Sequence, residues 1–143
     1  MKVLIDTNVF IDFLQDRQPF ANESREVIFQ ALNYEGYVAA SNITDIYYLQ
    51  YRQAHNKKKT KKDISDLLNI FEIIDTTGVD CRNALRSNMD DFEDAVLVES
   101  AKRNDIYCIV TRNVKDFKNS NVTVYTPAEF LELLRTKGIK ETT

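Results

Sequence analysis

The fold is decided by the segment Lys2-Val-Leu-Ile-Asp6 and by the helical pattern that follows it from Thr7 to Asp16. A run of three apolar residues that ends at a carboxylate is typical of a short buried strand. Apolar residues then recur at positions 9, 10, 13 and 14, which is the spacing of one helical face. A strand that leads directly into a helix is the first unit of an α/β fold, and it leaves Asp6 at the carboxyl end of the strand.

The same alternation of short strands and helices continues along the chain. Further strands are predicted at residues 37–40, 73–74, 106–110 and 122–125, and further helices at 21–34, 43–55, 64–71, 79–86, 91–102 and 126–138. This order predicts a three-layer α/β/α sandwich with a mainly parallel central sheet, in which ligands bind at the carboxyl ends of the strands. We expect a single domain over residues 1–143, with the last few residues disordered.

The composition excludes several classes of protein and of functional site. Only 3 of the 143 residues are glycine, and none lies in a glycine-rich phosphate-binding motif. One histidine and two distant cysteines, Cys81 and Cys108, exclude the usual zinc sites and fit a reducing, cytoplasmic setting. The N-terminus does not resemble a signal peptide, and no apolar run is long enough to span a membrane. The abundant chemical groups are carboxylates, with 22 Asp and Glu against 19 Lys and Arg.

The first candidate acids lie where the first strand passes into its helix. Asp6 follows the strand directly, and its ordinary role would be to cap the helix, because Asp is a favoured N-cap residue. Asn8 and Asp12 lie one turn apart on the same helical face. They would either face solvent or extend the acidic site that Asp6 begins.

The segment Asp91-Phe-Glu-Asp94 is the most informative of the acidic stretches. Asp91 is a candidate N-cap for the helix that follows, and Asp94 would then be the third helical residue of a capping box. Asp94 also heads the apolar stripe formed by positions 97, 98 and 101, so it would face the sheet. A carboxylate on such a face is unfavourable unless it is paired or binds a metal, which favours a functional role.

Two further acids are expected near the same edge of the sheet. Asp116 comes shortly after the fourth strand, where it is either a turn residue or a site acid. Asp45 lies in the first turn of its helix, where the helix dipole favours any acid. Carboxylates that gather within about 4–6 Å repel one another unless a cation lies between them. Since Mg²⁺ and Mn²⁺ prefer oxygen ligands, we predict a divalent-metal site built on Asp6, Asp94 and Asp116.

Five blocks occur in the order in which a known family carries them: Val3-Leu-Ile-Asp-Thr-Asn8, Ser41-Asn-Ile-Thr44, Asp91-Phe-Glu-Asp-Ala95, Thr111-Arg-Asn-Val-Lys-Asp-Phe117 and Val124-Tyr-Thr-Pro-Ala-Glu-Phe130. On these blocks the chain resembles the PIN-domain family, and within it the small prokaryotic toxins of the VapC type. Each block is weak alone, but together and in order they are specific. The resemblance implies a Rossmann-like α/β/α sandwich and a Mg²⁺- or Mn²⁺-dependent ribonuclease.

The resemblance also assigns roles to individual residues. Asp6 and Asp94 match the first and third acids of the family, and Asn113 or Asp116 covers the fourth. Asp45 and Asp91 would act as outer or substitute ligands. Hydrogen bonds that orient water and the carboxylates, and contacts that support the site, are expected from Asn8, Asp12, Thr44, Arg112 and Asn113.

The chain departs from the family at two of its acidic positions. The second family acid is usually a Glu three residues after the Thr of the second block, where this chain has Tyr47. Its nearest carboxylate is Asp45, two residues earlier. The fourth position is often Asp, where this chain has Asn113. These changes imply weaker metal binding, one ion rather than two, compensation by neighbouring acids, or loss of catalysis.

Basic and aromatic residues near the acids suggest contacts with RNA. Arg112 follows the fourth strand, where it would contact a phosphate. The tract that contains Lys57, Lys58 and Lys59 would either bind the RNA backbone or form a solvated loop. The tyrosines at positions 47, 48 and 51 would either stack on bases or pack in the core or at a dimer face.

The leading hypothesis is a metal-dependent endoribonuclease, acting as the toxin of a toxin–antitoxin pair. Its partners would be an RNA substrate, an antitoxin protein and a second copy of the chain bound through helix positions 43–54. One alternative is a catalytically silent PIN-like module that binds RNA or protein, motivated by Tyr47 and Asn113. The other is a receiver-like domain that accepts a phosphoryl group on Asp, although its first strand would normally end in an acidic pair.

Overall fold

The computed structural model describes the backbone of residues 1–142 and the side chains of residues 1–137. The strands are β1 (Lys2–Ile5), β2 (Glu35–Ala39), β3 (Glu72–Ile74), β4 (Cys108–Val110) and β5 (Thr123–Tyr125). The helices are α1 (Thr7–Leu14), α2 (Ala21–Phe29), α3 (Ala40–Ala54), α4 (Lys57–Leu68), α5 (Gly78–Leu85), α6 (Phe92–Arg103) and α7 (Pro127–Thr142). The disorder predicted for the last few residues falls on positions 138–143, whose side chains lie outside the described residues.

The five strands form one sheet in the order β3-β2-β1-β4-β5, and every neighbouring pair is parallel. The central strand β1 pairs with β2 through Val3 and Gly36, and with β4 through Ile5 and Val110. The order of the strands reverses direction at β1, so the chain crosses from one half of the sheet to the other there. Ligands of parallel sheets bind at such a reversal, outside the carboxyl ends of the strands.

Hydrophobic clusters cover both faces of the sheet. Successive strand residues point to opposite faces, and Val3 and Ile5 pack on one side while Leu4 packs on the other. The first side is covered by α1, α2, α3, α4 and α7, and the second by α5 and α6. The predicted α/β/α sandwich with a parallel sheet is therefore confirmed.

The start of β2 and the end of α2 differ from the sequence prediction. The second helix ends at Phe29, and a short 3-10 helix follows it over Gln30–Asn33. Gly36 lies inside β2. A Cβ atom there would lie 2.5 Å from Cδ1 of Phe71, so the close packing of that ring against the strand requires glycine.

The basic tract is helical, whereas the sequence predicted a helix only from position 64 and left a solvated loop as one reading of the tract. Asn56 caps α4, because its Oδ1 accepts a hydrogen bond from the backbone N–H of Lys59 at 3.0 Å. Thr60 is buried within the helix, and its hydroxyl donates to the carbonyl of Asn56 at 2.8 Å. The three candidate RNA-binding lysines at positions 57–59 therefore form the first turn of α4.

The C-terminal helix is longer than predicted. It begins at Pro127, as the proline signal indicates, but it continues to Thr142 rather than ending near position 138. None of the helices described here has both the length and the apolar character needed to cross a membrane.

Candidate active site

Asp6 lies at the carboxyl end of the central strand, beside the end of β4. Its backbone N–H donates to the carbonyl of Val110 at 2.9 Å, which continues the pairing of β1 and β4 by one step. Its side chain caps α1, because Oδ1 accepts a hydrogen bond from the backbone N–H of Thr7 at 2.8 Å. The predicted cap is therefore confirmed, and the same carboxylate lies where the fold predicts a ligand site.

Three polar side chains also donate to Asp6, and two of them come from distant parts of the chain. The Thr111 hydroxyl donates to Oδ2 at 2.9 Å, and the Asn8 amide donates to the same oxygen at 3.4 Å. The Asn42 amide donates to Oδ1 at 3.4 Å. Burial raises the pKa of the Asp6 carboxyl above its ordinary value, while the hydrogen bonds from Thr111, Thr7 and Asn42 oppose that rise. The carboxylate is held in place without being neutralised.

Asp91 and Asp94 begin helix α6. Asp91 is the N-cap, as expected, and its Oδ1 accepts a hydrogen bond from the backbone N–H of Asp94 at 2.9 Å. Asp94 is half-buried, and burial raises the pKa of its carboxyl to about 7. The negative charges of Asp6, Asp91 and Asp116 add to the rise, so these four acids lie near enough to repel one another.

Glu93 is a cleft residue that the sequence analysis did not single out. Its carboxyl group is within hydrogen-bonding reach of Asp45 on α3. That interaction, then burial and the charges of Asp45, Asp91 and Asp94, raise the pKa of Glu93 to about 7. Sequence spacing gave no signal for this pair, because it depends on how α3 and α6 lie across the sheet edge.

The acids line an open cleft of about 490 Å³ at the carboxyl ends of the strands. Its five acidic lining residues are Asp6, Asp45, Asp91, Glu93 and Asp94. Asp116 is exposed in a short 3-10 helix, Val114–Phe117, that follows β4. It does not line the cleft itself, but its charge acts on both Asp6 and Asp94.

Among the described side chains, no cation forms a salt bridge with a cleft acid. Within residues 1–137, every salt bridge involves a carboxylate elsewhere: those of Asp12, Asp16, Asp63, Asp66, Asp80, Glu99 and Glu132. When ionised, Asp6 and Asp94 therefore carry a buried or half-buried negative charge that no Lys or Arg within residues 1–137 offsets. A charge in that position is unfavourable until a proton or a cation binds.

The donor set fits a divalent ion of the Mg²⁺ class. Its atoms are carboxylate oxygens, which hard cations prefer, and its excess negative charge is uncompensated. In the described part of the chain, no three Asp, Glu, His or Cys side chains are gathered closely enough to hold a metal alone. The predicted trio of Asp6, Asp94 and Asp116 is thus not a closed cage. Mg²⁺ sites commonly use one or two carboxylates and complete the coordination with water and substrate phosphate.

The structure places Asp12 and Arg112 in a buried ion pair with each other, which the sequence did not predict. Asp12 is fully buried, away from the acidic cleft, and it accepts hydrogen bonds from Arg112 Nε at 2.8 Å and Nη2 at 3.4 Å. The Arg112 guanidinium also lies over the ring of Phe20, 4.3 Å from its centroid. Asp12 is therefore a structural partner of Arg112 rather than a member of the acidic group, because a buried carboxylate requires a counter-charge.

Two residues expected to orient the site lie elsewhere. Thr44 is exposed on α3 and does not line the cleft, while Asn42, two residues earlier, donates to Asp6 instead. Asn113 is exposed, and its backbone N–H donates to the Thr111 hydroxyl at 3.2 Å. The buried Thr111 follows β4 and donates to Asp6, but the sequence analysis did not name it as a site residue. The signal for both Asn42 and Thr111 was their place directly after strands 2 and 4.

A family model described as a PIN domain matches residues 2–115. The chain belongs to the PIN domain family. The match includes Asp6, Asp45 and Asp94, so the acidic cleft lies in the matched region. The resemblance seen on the sequence blocks is therefore confirmed.

A curated relative supports a nuclease within this family. The chain is 29% identical over 138 residues to ribonuclease VapC1 of Aquifex aeolicus (strain VF5), covering 92% of this chain and 94% of that protein.

Solved structures with this fold include toxin–antitoxin complexes. One is the VapBC2 complex of Rickettsia felis bound to a promoter DNA fragment, at 17% identity and a TM-score of 0.67, covering 88% of this chain and 98% of that one. Another is a toxin–antitoxin complex from Klebsiella pneumoniae, at 23% identity and a TM-score of 0.66, covering 87% and 97%. At these identities the likeness concerns the fold alone.

The position of the usual second PIN-domain acid differs in this chain. Tyr47 occupies it, and its half-buried ring packs against the core beside α1 rather than in the cleft. Asp45 and Glu93 are the carboxylates that line the cleft on that side. The chain therefore has acids in this region, although they come from other sequence positions.

Proposed function

We propose that this PIN-domain protein is a divalent-metal-dependent endoribonuclease that hydrolyses RNA phosphodiester bonds. The observation that carries the proposal is the pair of unneutralised acids, Asp6 and Asp94, at the carboxyl edge of the sheet. The family match and the similarity to a VapC ribonuclease support the same chemistry. A receiver-like phospho-acceptor has no comparable support, since a single Asp6 follows β1.

The residues have distinct tasks in this proposal. Asp6, Asp94 and Asp116 would hold the ion, and Asp91, Asp45 and Glu93 would adjust the charge around it. Thr111, Asn42 and Asn8 fix the Asp6 carboxylate through hydrogen bonds, so its oxygens need not reorganise when the ion binds. A bound Mg²⁺ or Mn²⁺ would lower the pKa of a water molecule and offset negative charge on the phosphodiester.

Metal dependence is tested by digesting RNA with the purified protein. We expect cleavage with Mn²⁺ or Mg²⁺ and none in EDTA. In parallel, a thermal melt should show a higher Tm with about 10 mM Mn²⁺, because an ion that binds only the folded state stabilises it by about 2.7 kcal/mol at 100 times its Kd. Cleavage that persists in EDTA would contradict the proposal.

A catalytically silent RNA- or protein-binding module is the second candidate. The observation that favours it is the absence of acids at Tyr47 and Asn113. This candidate requires that RNA binds but is not cleaved at any concentration of Mn²⁺. The same digestion, followed by an RNA-binding measurement, therefore separates the two.

We also propose that residues 1–143 act as one cytoplasmic domain, paired with an antitoxin protein and forming a homodimer. The antitoxin is suggested by the toxin–antitoxin complexes among the solved structures of this fold. The dimer face predicted on α3 is less apolar than expected, because Ile46 is buried and Ile43 and Leu49 pack against the core. Sedimentation at tens of micromolar should give twice the mass of the 16.6 kDa chain.

A further inference from the structure

A cavity of about 270 Å³ lies between the starts of α2 and α7, apart from the acidic cleft. We call it the Ser24 cavity, and it is lined by Asp12, Phe20, Glu23, Ser24, Arg112 and residues 126–127. None of these residues lines the cleft. The volume is near the lower end of the range for ligand pockets, so it suits a molecule with a single ring.

Ser24 marks the inner end of the cavity. Its side chain is only 1% exposed, and its Oγ has no hydrogen-bond partner among the described residues. A buried hydroxyl without a partner is unfavourable, because burial removes the water that would otherwise bond to it. The nearby buried Tyr34, by contrast, donates its hydroxyl to the carbonyl of Val27 at 2.6 Å. The Ser24 hydroxyl is therefore a donor that remains available to a group entering the cavity.

Arg112 supplies further donors to the same cavity. Asp12 accepts hydrogen bonds from its Nε at 2.8 Å and from its Nη2 at 3.4 Å, which uses one edge of the guanidinium. A guanidinium has five N–H groups, so both on Nη1 and one on Nη2 remain. The ring of Phe20 covers one face at 4.3 Å, and the backbone N–H of Arg112 donates to Asn8 at 3.0 Å. The remaining N–H groups are thus held in a fixed position.

The open side of the cavity has an acceptor instead of donors. Phe20 is 40% exposed and Glu23 is exposed, so both lie where the cavity meets solvent. Glu23 forms no salt bridge with any side chain of residues 1–137. Because Asp12 and Arg112 offset each other, the lining carries one net negative charge, that of Glu23. The cavity therefore favours a neutral molecule over an anion.

We infer that the Ser24 cavity binds a small planar carboxamide. The carbonyl oxygen accepts hydrogen bonds from Ser24 and from Arg112 Nη1, and the amide N–H donates to Glu23. The apolar body of the molecule packs against Phe20 and Pro127. An amide fits because it carries an acceptor and a donor on one neutral, planar group. The inference goes beyond the proposed nuclease, since binding needs neither RNA nor a metal ion.

Benzamide is the probe, titrated into the isotope-labelled full-length chain in EDTA and followed by backbone amide chemical shifts. Saturable shifts should cluster at Ser24, Arg112 and Thr126, with a Kd on the order of 1 mM, as is ordinary for a ligand with one ring. Benzoate should bind more weakly, because Glu23 repels its charge. Benzylamine has a similar size but no acceptor oxygen, and it should not shift these residues.

Two results of this titration would overturn the inference. One is that benzamide gives no saturable shifts at the three residues. The other is that benzylamine binds there as tightly as benzamide, because the donors of Ser24 and Arg112 would then select nothing. Neither result depends on whether the chain cleaves RNA, so failure here and failure of the nuclease proposal are separate outcomes.

Ser24→Ala separates a binding donor from a structural one. Removing a hydroxyl that has no partner should leave the Tm of the free protein unchanged or higher. The same change should weaken benzamide binding about 2- to 10-fold, which corresponds to one neutral hydrogen bond. Ser65→Ala, exposed on α4, is the matched control and should bind as wild type does. An unchanged Kd in Ser24→Ala, or a lower Tm that reveals a partner within the fold, would contradict the proposal.

Glu23→Gln tests the orientation of the ligand. The substitution keeps an acceptor at the open side but removes the charge, so the affinity for benzoate should rise toward that for benzamide. Glu26→Gln, one turn further along α2 and outside the Ser24 cavity, is the matched control. If both substitutions raise benzoate binding equally, Glu23 does not contact the ligand and the proposed arrangement is wrong.

Discussion

Asp6 and Asp80 lie in two regions beside opposite ends of α6 and differ in whether a cation bonds the carboxylate. Each carboxylate accepts four hydrogen bonds: Asp6 from Thr7, Asn8, Asn42 and Thr111, and Asp80 from Thr77, Ser100 and, twice, Arg103. Only Asp80 has a cation among its donors. Burial would raise the pKa of Asp80, but the bonds from Arg103, Thr77 and Ser100 outweigh it, and the pKa falls to about 2.

The comparison shows that hydrogen bonds alone do not offset the burial of a carboxylate in this chain. Neutral donors leave the pKa of Asp6 raised. Asp80 instead forms an ion pair with the Arg103 guanidinium at 3.0 Å, and we call this pair the Asp80 corner. Asp12 resembles Asp80 in this respect, because it is buried and forms an ion pair with Arg112 at 2.8 Å. The acidic cleft is thus the region where the counter-charge must come from outside the protein.

The largest effect is expected when the cleft loses an acid. Asp94→Asn should lower RNA cleavage at least about 100-fold, more than the loss of a group that only supports a ligand. The rise in Tm caused by Mn²⁺ should vanish, while the metal-free protein should be as stable as wild type or more so. Asp116→Asn should act in the same direction less severely. Asp66→Asn, on the exposed face of α4, is the control, and equal Mn²⁺ shifts in Asp94→Asn and wild type would show that the site is wrong.

Substitutions at the Asp80 corner should lower the stability of the fold rather than change RNA cleavage directly. Arg103→Gln leaves a buried carboxylate without its cation, which should lower the free energy of unfolding by about 3 kcal/mol. Replacing both partners, as Arg103→Gln with Asp80→Asn, should recover part of the loss, because no unpaired charge then remains. Urea unfolding measures both, with the exposed Arg82→Gln as control. If the urea midpoint of Arg103→Gln equals that of Arg82→Gln, the ion pair does not stabilise the fold and the contrast between Asp80 and Asp6 is wrong.

A smaller effect is expected at Glu93. Glu93→Gln keeps the size of the side chain but removes a negative charge beside Asp45 and Asp94. Metal affinity or cleavage should fall about 10- to 100-fold, as for groups that surround a metal ligand. The exposed Glu72→Gln on β3 is the matched control. Cleavage and Mn²⁺ shift at the wild-type level would show that Glu93 plays no part in the site.

The smallest effect is the opposite pH dependence of the two regions. The folded pKa of Asp94, about 7, lies above its ordinary value of 3.8. This group therefore stabilises the metal-free fold fully below about pH 4 and loses that contribution as pH rises through 7. Asp80 has a lowered pKa of about 2, so its contribution is present above 3.8 and is lost as pH falls toward 2.

Thermal melts in EDTA between pH 3 and 8 check this contrast (about the range over which both groups titrate). Relative to Asp94→Asn, the Tm of wild type should fall by a few degrees as pH rises from about 4 to 8. Relative to Asp80→Asn with Arg103→Gln, it should fall on acidification below about pH 4. Parallel profiles for wild type and Asp94→Asn would contradict the raised pKa.

Sequence patterns predicted the sandwich and the position of the main acids for a physical reason. Parallel strands place their carboxyl ends at one edge of the sheet. Strand order alone therefore predicts that Asp6, after β1, and Asp94, at the start of α6, lie near each other. The capping roles of Asp6 and Asp91 also follow from local chemistry alone. Local periodicity and strand order were therefore sufficient to place Asp6 and Asp94 in one cleft, while their role as a metal site stays a prediction.

The parts that could not be predicted depend on contacts between distant elements. Asp12 and Arg112 are 100 residues apart in the chain, and nothing local shows that they form a buried pair. The approach of Glu93 to Asp45 depends on the relative placement of two helices. The start of α4 was misplaced because a tract of lysines suggested a loop, whereas the Asn56 cap allows the helix to begin earlier.

The hydrogen bonds of Asn8 explain why an amide, rather than another acid, stands two residues after Asp6. Its Oδ1 accepts from the backbone N–H of Arg112 at 3.0 Å, while its Nδ2 donates to Thr111 at 3.0 Å and to Asp6. An amide has an acceptor oxygen and a donor nitrogen, and here the oxygen faces a donor and the nitrogen faces acceptors. An ionised carboxylate could make the first contact but would present a second negative oxygen to Asp6. Beside so many acids, position 8 therefore requires a side chain that accepts a hydrogen bond at one atom and donates at another. The order Asp-Thr-Asn at the end of β1 meets that requirement.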